Sequence, residues 1–414
     1  MKVALINAFW GFGSTGRNTI NKSNLLKELG YDVRVYYGMN KQNDTPPGVV
    51  YCGNRVISFI HHVIAYFFGL AGYGSIFPTM KLIRNLKKYN PDIVWLYNIH
   101  GYYLNESMLM EYLKKSGVWV VYDMADEYPF LGKCCSSFDC EKFKLPEGCS
   151  KCEHLQDYPR SRFFDNSRLK FKQKQKIYEG FDRIVFRSAR YVIDKAKTSA
   201  LLKDKEVAEI DTAIDLDTVF YPRDPKELRE ELGIAEDAKV VLCCAPINDA
   251  LKGVKYYLEA ARQCENDRIV FINVSYGGDE SLCPSNYIPI SYVSNRDKMA
   301  MFYSLADAYV CSSVSDAQPN TCIEAMGCGT PIIGFNISGV PYVAPQGIGT
   351  YVEPKSAEAL AEAIRNLPKK NEEIQKACRA YACGRYSRDV VNNVTKEFFE
   401  EISNRVEQSR ASVQ

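Results

Sequence analysis

The sequence predicts an α/β protein of two Rossmann-like, doubly wound domains with parallel sheets, facing each other across a cleft. Three observations carry that expectation. Strand and helix signals alternate through the first half of the 414 residues, and the alternation restarts after Asp211-Thr-Ala-Ile-Asp-Leu-Asp217. The stretch from Ala308 to Phe335 spells one complete strand–loop–helix–strand unit. Strands alternating with helices build parallel sheets, because a parallel neighbour needs a crossover connection.

In chain order, Lys2–Ala8, Asp32–Gly38, Asp92–Ile99, Val118–Met124 and Arg183–Ser188 are apolar, β-rich runs. Helical stretches fall between them at Thr15–Leu29, Thr79–Tyr89 and Glu106–Lys115. Tyr221-Pro-Arg-Asp-Pro225 punctuates the junction. The second set of strands is Lys239–Ala245, Arg268–Ser275, Tyr287–Val293, Ala308–Ser312 and Pro331–Phe335. From Asn371 to about Ser403 the chain is amphipathic and helical with no strand to return to. The expected division is therefore 1–212, 213–385, and a helix over 386–414.

A formal charge of +2 and 25% charged residues imply neither a polyanion partner nor wholesale disorder. Met1-Lys2 runs directly into Val3-Ala-Leu-Ile6, a strand pattern rather than a signal peptide. With fifteen cysteines, many in apolar strands and helices, the expected setting is a reducing one, the cytoplasm, without disulfides. Val56 to Phe77 is apolar and aromatic but interrupted by His61, His62 and three glycines. It falls short of about 18 uninterrupted apolar residues, so a buried or interfacial helix is expected rather than a membrane span.

Asp316-Ala-Gln-Pro-Asn-Thr-Cys-Ile-Glu324 sets two carboxylates eight positions apart, one before a short helix and one just inside it. The loop opens at the carboxyl end of a strand, where ligands of open α/β sheets bind. Pro319 suits the first helical turn, and the amides of Asn320, Thr321 and Cys322 form a positive pole fit for a phosphate. Glu324, one turn in, can accept hydrogen bonds from a ribose diol. Together these make a nucleotide-sugar site the expectation.

Gly11-Phe-Gly13-Ser-Thr-Gly16 follows the first strand and opens a helix, as a dinucleotide fingerprint does. The second strand ends Tyr36-Tyr37-Gly38 without the ribose-binding acid, and Asp32 stands at its wrong end, so NAD is not expected. Two readings stay open: Gly13, Ser14, Thr15, Gly16 and Arg17 receive an anion, or the glycines serve a tight turn.

These residues, with Asp92-Ile-Val-Trp-Leu-Tyr-Asn-Ile-His-Gly-Tyr-Tyr-Leu104, Leu251-Lys-Gly-Val254, Tyr292-Val-Ser-Asn295 and Ala306-Asp307, resemble the family-4 retaining glycosyltransferases of the GT-B fold. The likeness is to the branch acting in capsule, colanic-acid and exopolysaccharide assembly. The resemblance implies a hexosyltransferase that takes a nucleotide diphosphate sugar in the C-terminal domain and a glycan or lipid-linked glycan acceptor mainly in the N-terminal one. Carried over, Glu324 binds the ribose, Asp316 takes the first acidic place of the family's E-x7-E motif, and Lys252 neutralises the leaving diphosphate. His100 lies near the reacting sugar, and Tyr292 and Val293 present backbone to the base. The chain departs from the family at Asp316, commonly Glu, and at Ala245–Leu251, which lacks the arginines often found before the lysine. A sugar-nucleotide epimerase and a non-catalytic nucleotide-sugar-binding protein are the competing expectations. Asp215-Leu-Asp217 lies in the connector and reads as turn chemistry, so no catalytic divalent metal is expected.

Within an insertion over about 130–157, Cys134, Cys135, Cys140, Cys149 and Cys152 cluster, with His154 just beyond. Cys149-x2-Cys152 is half of a tetrahedral zinc pattern, and Cys134 or Cys135 with Cys140 can complete it; the alternative is a loop of unpaired thiols. Arg160, Arg162, Arg168, Lys170, Lys172, Lys174 and Lys176 then form a basic run. It fits peripheral contact with the inner face of the cytoplasmic membrane, or a solvated helix face, and shows no stacking-aromatic pattern for nucleic acid.

Overall fold

In a computed structural model, residues 1–411 are described, apart from the side chain of Ser14. The chain divides into two compact units. One comprises residues 1–188, 192–210 and the chain from Thr395 on; the other comprises 189–191 and 211–394.

The first unit holds seven parallel strands: β1 (Lys2–Asn7), β2 (Asp32–Tyr37), β3 (Val49–Tyr51), β4 (Ile93–Leu96), β5 (Trp119–Asp123), β6 (Ile184–Ser188) and β7 (Glu206–Glu209). Their order is β3-β2-β1-β4-β5-β6-β7, so the winding reverses between β1 and β4. Its helices are α1 (Gly13–Glu28), α2 (Arg55–Phe68), α3 (Ile76–Tyr89), α4 (Glu106–Ser116), α5 (Ser167–Tyr178) and α6 (Arg190–Ala196), the last beginning in residues assigned to the other unit. The second unit has β8 (Lys239–Cys244), β9 (Ile269–Val274), β10 (Tyr287–Ile290), β11 (Ala308–Cys311), β12 (Ile332–Phe335) and β13 (Gly349–Val352). They run parallel in the order β10-β9-β8-β11-β12-β13, reversing between β8 and β11. Helices α7 (Lys226–Glu231), α8 (Val254–Gln263), α9 (Arg296–Leu305), α10 (Asn320–Gly327), α11 (Ala357–Asn366) and α12 (Glu372–Tyr386) complete it.

The two doubly wound parallel sheets agree with the fold the sequence predicts. Period-two alternation explains why both faces are covered: Val240, Leu242, Tyr309 and Cys311 pack on one face of the second sheet, while Val241, Cys243, Ala308 and Val310 pack on the other. Helix α13 (Arg388–Ala411) brings Phe399, Ile402 and Val406 into the core of the first unit. The Phe399 ring lies 4.6 Å from Trp95, and Arg405 grips Glu206 with two hydrogen bonds of 2.7 and 2.9 Å.

The apolar stretch Val56–Phe77 is two helices rather than one. Asn54 caps α2 by accepting the Ile57 amide, and Gly69 ends it in the left-handed conformation (φ 67°). Buried His61 then folds the glycine turn back onto the helix, its Nε2 accepting the amides of Gly72 and Gly74 at 3.1 Å. The basic run also differs from a solvated face. Lys170 and Lys174, one turn apart on α5, are buried against Tyr128, while Arg168 and Lys172 are exposed.

Candidate functional site

In the second unit the reversal of strand order lies between β8 and β11, and their carboxyl ends carry the charged groups. The loop after β8 is pinned to the end of β11: Ser312 Oγ donates to the Lys252 carbonyl (2.9 Å), and the Val314 amide donates to Leu251 (2.8 Å). Gly253 makes this approach feasible. It has φ 62°, and a Cβ there would sit 2.1 Å from the Ser312 carbonyl oxygen. Lys252 Nζ lies 2.7 Å from Asp316 Oδ2. Burial opposes the ammonium charge, but the attraction and hydrogen bond of Asp316 outweigh it and raise the Lys252 pKa above the usual lysine value.

Asp316 is itself held in place. Its amide donates to Ser338 Oγ (3.0 Å), and its carbonyl accepts from that hydroxyl (2.7 Å) and from the Gly339 amide (2.8 Å). Gly339 cannot carry a side chain, since a Cβ would lie 2.0 Å from the Ala317 oxygen. Pro319 occupies the N-cap of α10 (φ −70°, ψ 102°) rather than its first turn, and no side chain caps the helix. No side chain caps the first turn, where the Cys322 amide donates to the Pro319 carbonyl (3.0 Å), and the half-buried Asn320 has an Oδ1 atom with no partner among the described residues. Fully buried Tyr303 donates to Glu324 Oε2 (2.9 Å), and Tyr309 donates to Thr321 Oγ1 (2.8 Å). Tyr292 and Val293 lie past the end of β10, where Tyr292 is 79% exposed and Val293 packs against the core. Ser338, Gly339, Tyr303 and Tyr309 were not singled out in the sequence.

In the first unit, the reversal between β1 and β4 carries the other groups. Helix α1 begins at Gly13 (φ 64°), and a Cβ on Gly16 would press 2.9 Å from the Gly11 nitrogen, so the glycines serve a tight turn. The buried Asn7 side chain staples that turn, reaching the Phe9 carbonyl (3.0 Å), Thr15 carbonyl (3.2 Å) and Thr19 hydroxyl (2.6 Å). Thr15 is half-buried and Arg17 exposed; the Ser14 side chain lies outside the described residues.

His100, just beyond β4, has Nε2 at 2.9 Å from Asp126 Oδ2, while its buried Nδ1 has no partner among the described residues. Burial opposes the Asp126 charge, yet His100 and the Tyr128 amide hold that carboxyl below the usual range. When the carboxylate accepts a hydrogen bond from Nε2–H, the other ring nitrogen of a neutral imidazole, Nδ1, is the acceptor. Asp126 stands in a short acidic run with Asp123 and Glu127, and nothing in its spacing ties it to His100. Nearby, Phe9, Met39, Arg55, Phe59, His62 and Tyr102 line a cavity of about 720 Å³.

The predicted metal residues Cys134, Cys140, Cys149 and Cys152 line one small cavity of about 20 Å³. Cys134 and Cys152 have sulfurs 3.9 Å apart, and the hydrogen bond they share lowers one thiol's pKa as it raises the other's. A tighter group of metal-ligating types is His100, Asp126 and Cys135, whose donor atoms lie within 4.8 Å of one another.

Residues 224–385, inside the second unit, match the family model for glycosyl transferases group 1. The chain is 27% identical to a D-inositol 3-phosphate glycosyltransferase of Mycobacteroides abscessus over 209 residues, 47% of this chain and 46% of that protein. The chain thus spans about half the length of the curated relatives it matches. Over the whole fold it is similar to sucrose-phosphate synthase from Thermosynechococcus elongatus (TM-score 0.66, 16% identity, 97% of this chain and 99% of the other). It is also similar to HepE of Anabaena in complex with UDP-glucose (TM-score 0.63, 14% identity, 97% and 100%).

Proposed function

We propose that the protein is a retaining glycosyltransferase, moving a hexosyl unit from a nucleoside diphosphate sugar to a glycan or lipid-linked glycan in surface-polysaccharide assembly. The observation that carries it is the Lys252–Asp316 pair beside α10, with Glu324 one turn in, all within the region matching glycosyl transferases group 1. The Lys252 ammonium and the uncapped α10 terminus receive the diphosphate, and Glu324, anchored by Tyr303, takes the ribose hydroxyls. Asp316 contacts the transferred sugar, and the backbone at Tyr292 and Val293 borders the base. On the acceptor side the His100 ring, held by Asp126, borders the reacting sugar. The bond from the anomeric carbon to the diphosphate breaks as the acceptor oxygen bonds on the same face, and the acceptor proton passes to the departing phosphate. No protein nucleophile takes part, so positioning and charge stabilisation carry the rate.

The exposed side of α2 supports the lipid-linked acceptor. Val56, Phe59 and Ile60 stand out to solvent, Phe163 stacks on Phe67 (5.9 Å), Arg55 begins the helix, and Arg162 reaches the Tyr66 hydroxyl (3.4 Å). Exposed apolar residues beside arginines suit an anionic bilayer surface, and Arg55 and Phe59 also line the 720 Å³ cavity. Among the described residues no helix is long and apolar enough to cross a membrane.

The test is transfer from nucleoside diphosphate hexoses, beginning with UDP-glucose, the compound bound by the similar HepE. Glu324→Ala and Lys252→Ala should each lower turnover by about 10²-fold or more, and NMR of the product should show retained anomeric configuration. Unchanged turnover in Glu324→Ala, or conversion of free nucleotide sugar without acceptor, would overturn the proposal. Binding without turnover on any acceptor would favour a non-catalytic binding protein, which the lack of arginine in Ala245–Leu251 also supports.

A further inference from the structure

From Leu131 to Asn166 the chain has one three-residue helical turn (Lys142–Lys144) and no other regular element. Long segments without secondary structure are uncommon in compact folds unless something else orders them. Yet this one is tightly built: Phe143 is fully buried, and the buried Lys133 ammonium donates to the carbonyls of His154 (3.1 Å) and Asp157 (2.8 Å). The apolar core here is small, so burial alone leaves most of the ordering unexplained.

We propose that Cys134, Cys140, Cys149 and Cys152 bind a single zinc ion that staples this insertion. All four line the same 20 Å³ cavity, but no three of their sulfurs lie within 4.8 Å of one another, so the loop draws them together as it binds the ion. Four thiolates about 2.3 Å from zinc define a tetrahedron whose sulfurs are about 3.8 Å apart. The Cys134–Cys152 separation of 3.9 Å matches one edge of that figure. Cys149 Sγ already accepts the Gly132 amide at 3.3 Å, a donor of the kind that orients a metal-bound sulfur. Gly132 is required there, since a Cβ would come within 2.7 Å of the Cys149 Cβ. Lys133 and Lys142, both on the cavity wall, offset the negative charge of a four-thiolate zinc site. Four protein sulfurs leave no open position, so the ion is structural. The proposal stands independently of the transfer reaction.

The nearby His100, Asp126 and Cys135 group offers the competing ligand set. The test is elemental analysis of the full chain purified without chelator, with about one zinc per chain expected. Cys140→Ser and Cys149→Ser should abolish it, and Cys135→Ser should retain it. Because the first two variants could fail to fold, cobalt substitution of the unmodified chain provides a second measurement. The expected spectrum has thiolate-to-cobalt charge transfer and the strong d–d bands of a tetrahedral four-sulfur site. A chain that contains no zinc and takes up none overturns the proposal. So do loss of zinc in Cys135→Ser, a weak octahedral cobalt spectrum, and an intact mass showing Cys134 and Cys152 joined as a disulfide.

Discussion

A methyl group at position 253 would meet the Ser312 carbonyl oxygen at 2.1 Å, so the placement of Lys252 depends on a residue that touches no ligand. Gly233 offers the comparison, with a similar φ of 65° and nothing within 4 Å of its Cβ. Gly233→Ala should cost about 1 kcal/mol, the left-handed penalty alone. Gly253→Ala should cost at least twice that in denaturant unfolding and should also weaken nucleoside diphosphate binding by calorimetry. In the first unit Asp123 neutralises two cations, the buried Arg187 and the half-buried Lys22. Arg187 reaches it with hydrogen bonds of 2.8 and 3.1 Å, and Lys22, 4.2 Å from the Tyr97 ring centre, reaches it too. Asp123→Asn strands those charges and should destabilise the chain by about 3–5 kcal/mol, read from urea unfolding. Neither this cluster nor the His100–Asp126 pair shows in the sequence. Their members lie 26 to 101 positions apart, and spacing discloses neighbours only within one element.

At the scale of the element, α2 departs furthest from what a water-soluble face requires. Phe59 is 66% exposed and Phe77, at the start of α3, 74%. Phe59→Ser with Val56→Ser should reduce co-sedimentation with vesicles containing anionic lipid by tenfold or more while leaving the melting temperature nearly unchanged, since both residues are 66% exposed. Equal binding by the variant would remove the lipid surface from the acceptor reading. Apolar run lengths made α2 visible in the sequence; its break at Gly69 and the burial of His61 depend on tertiary contacts. The same holds for α5, where composition shows a row of cations but only packing separates buried Lys170 and Lys174 from exposed Arg168 and Lys172. Strands β3, β7 and β13 escaped the sequence reading because each is only three or four residues long. All three lie at sheet edges, where a strand needs little apolar signal.

For the whole molecule, the alternation of strands and helices was enough to read both parallel sheets, because buried parallel strands demand continuous apolar runs that stand out from amphipathic helices. Ionisation acts at this scale as well. Burial lowers Lys170 to about 7 and Lys370 to about 8. The unfolded chain therefore binds more protons than the folded one above pH 7, and stability rises with pH there, by up to about 1.4 kcal/mol per unit for each full proton. Buried thiols work the other way. Cys52, Cys264 and Cys378 are raised to about 11, and Cys243 and Cys328 to about 12. Their contribution is intact below the unfolded thiol value near 8.5 and is lost as pH climbs beyond it. The melting temperature in reductant should therefore peak near pH 8, and Lys170→Met should flatten the rise below that point without moving the fall above it. Helix α13 carries a different consequence, one of timing. Phe399, Ile402 and Val406 belong to the first unit's core but are separated from the rest of it by the second unit. At about 5–20 residues per second, a ribosome needs some tens of seconds to make that intervening stretch. Until then Trp95 lacks the Phe399 ring that packs on it, so the part of the protein synthesised first is completed last.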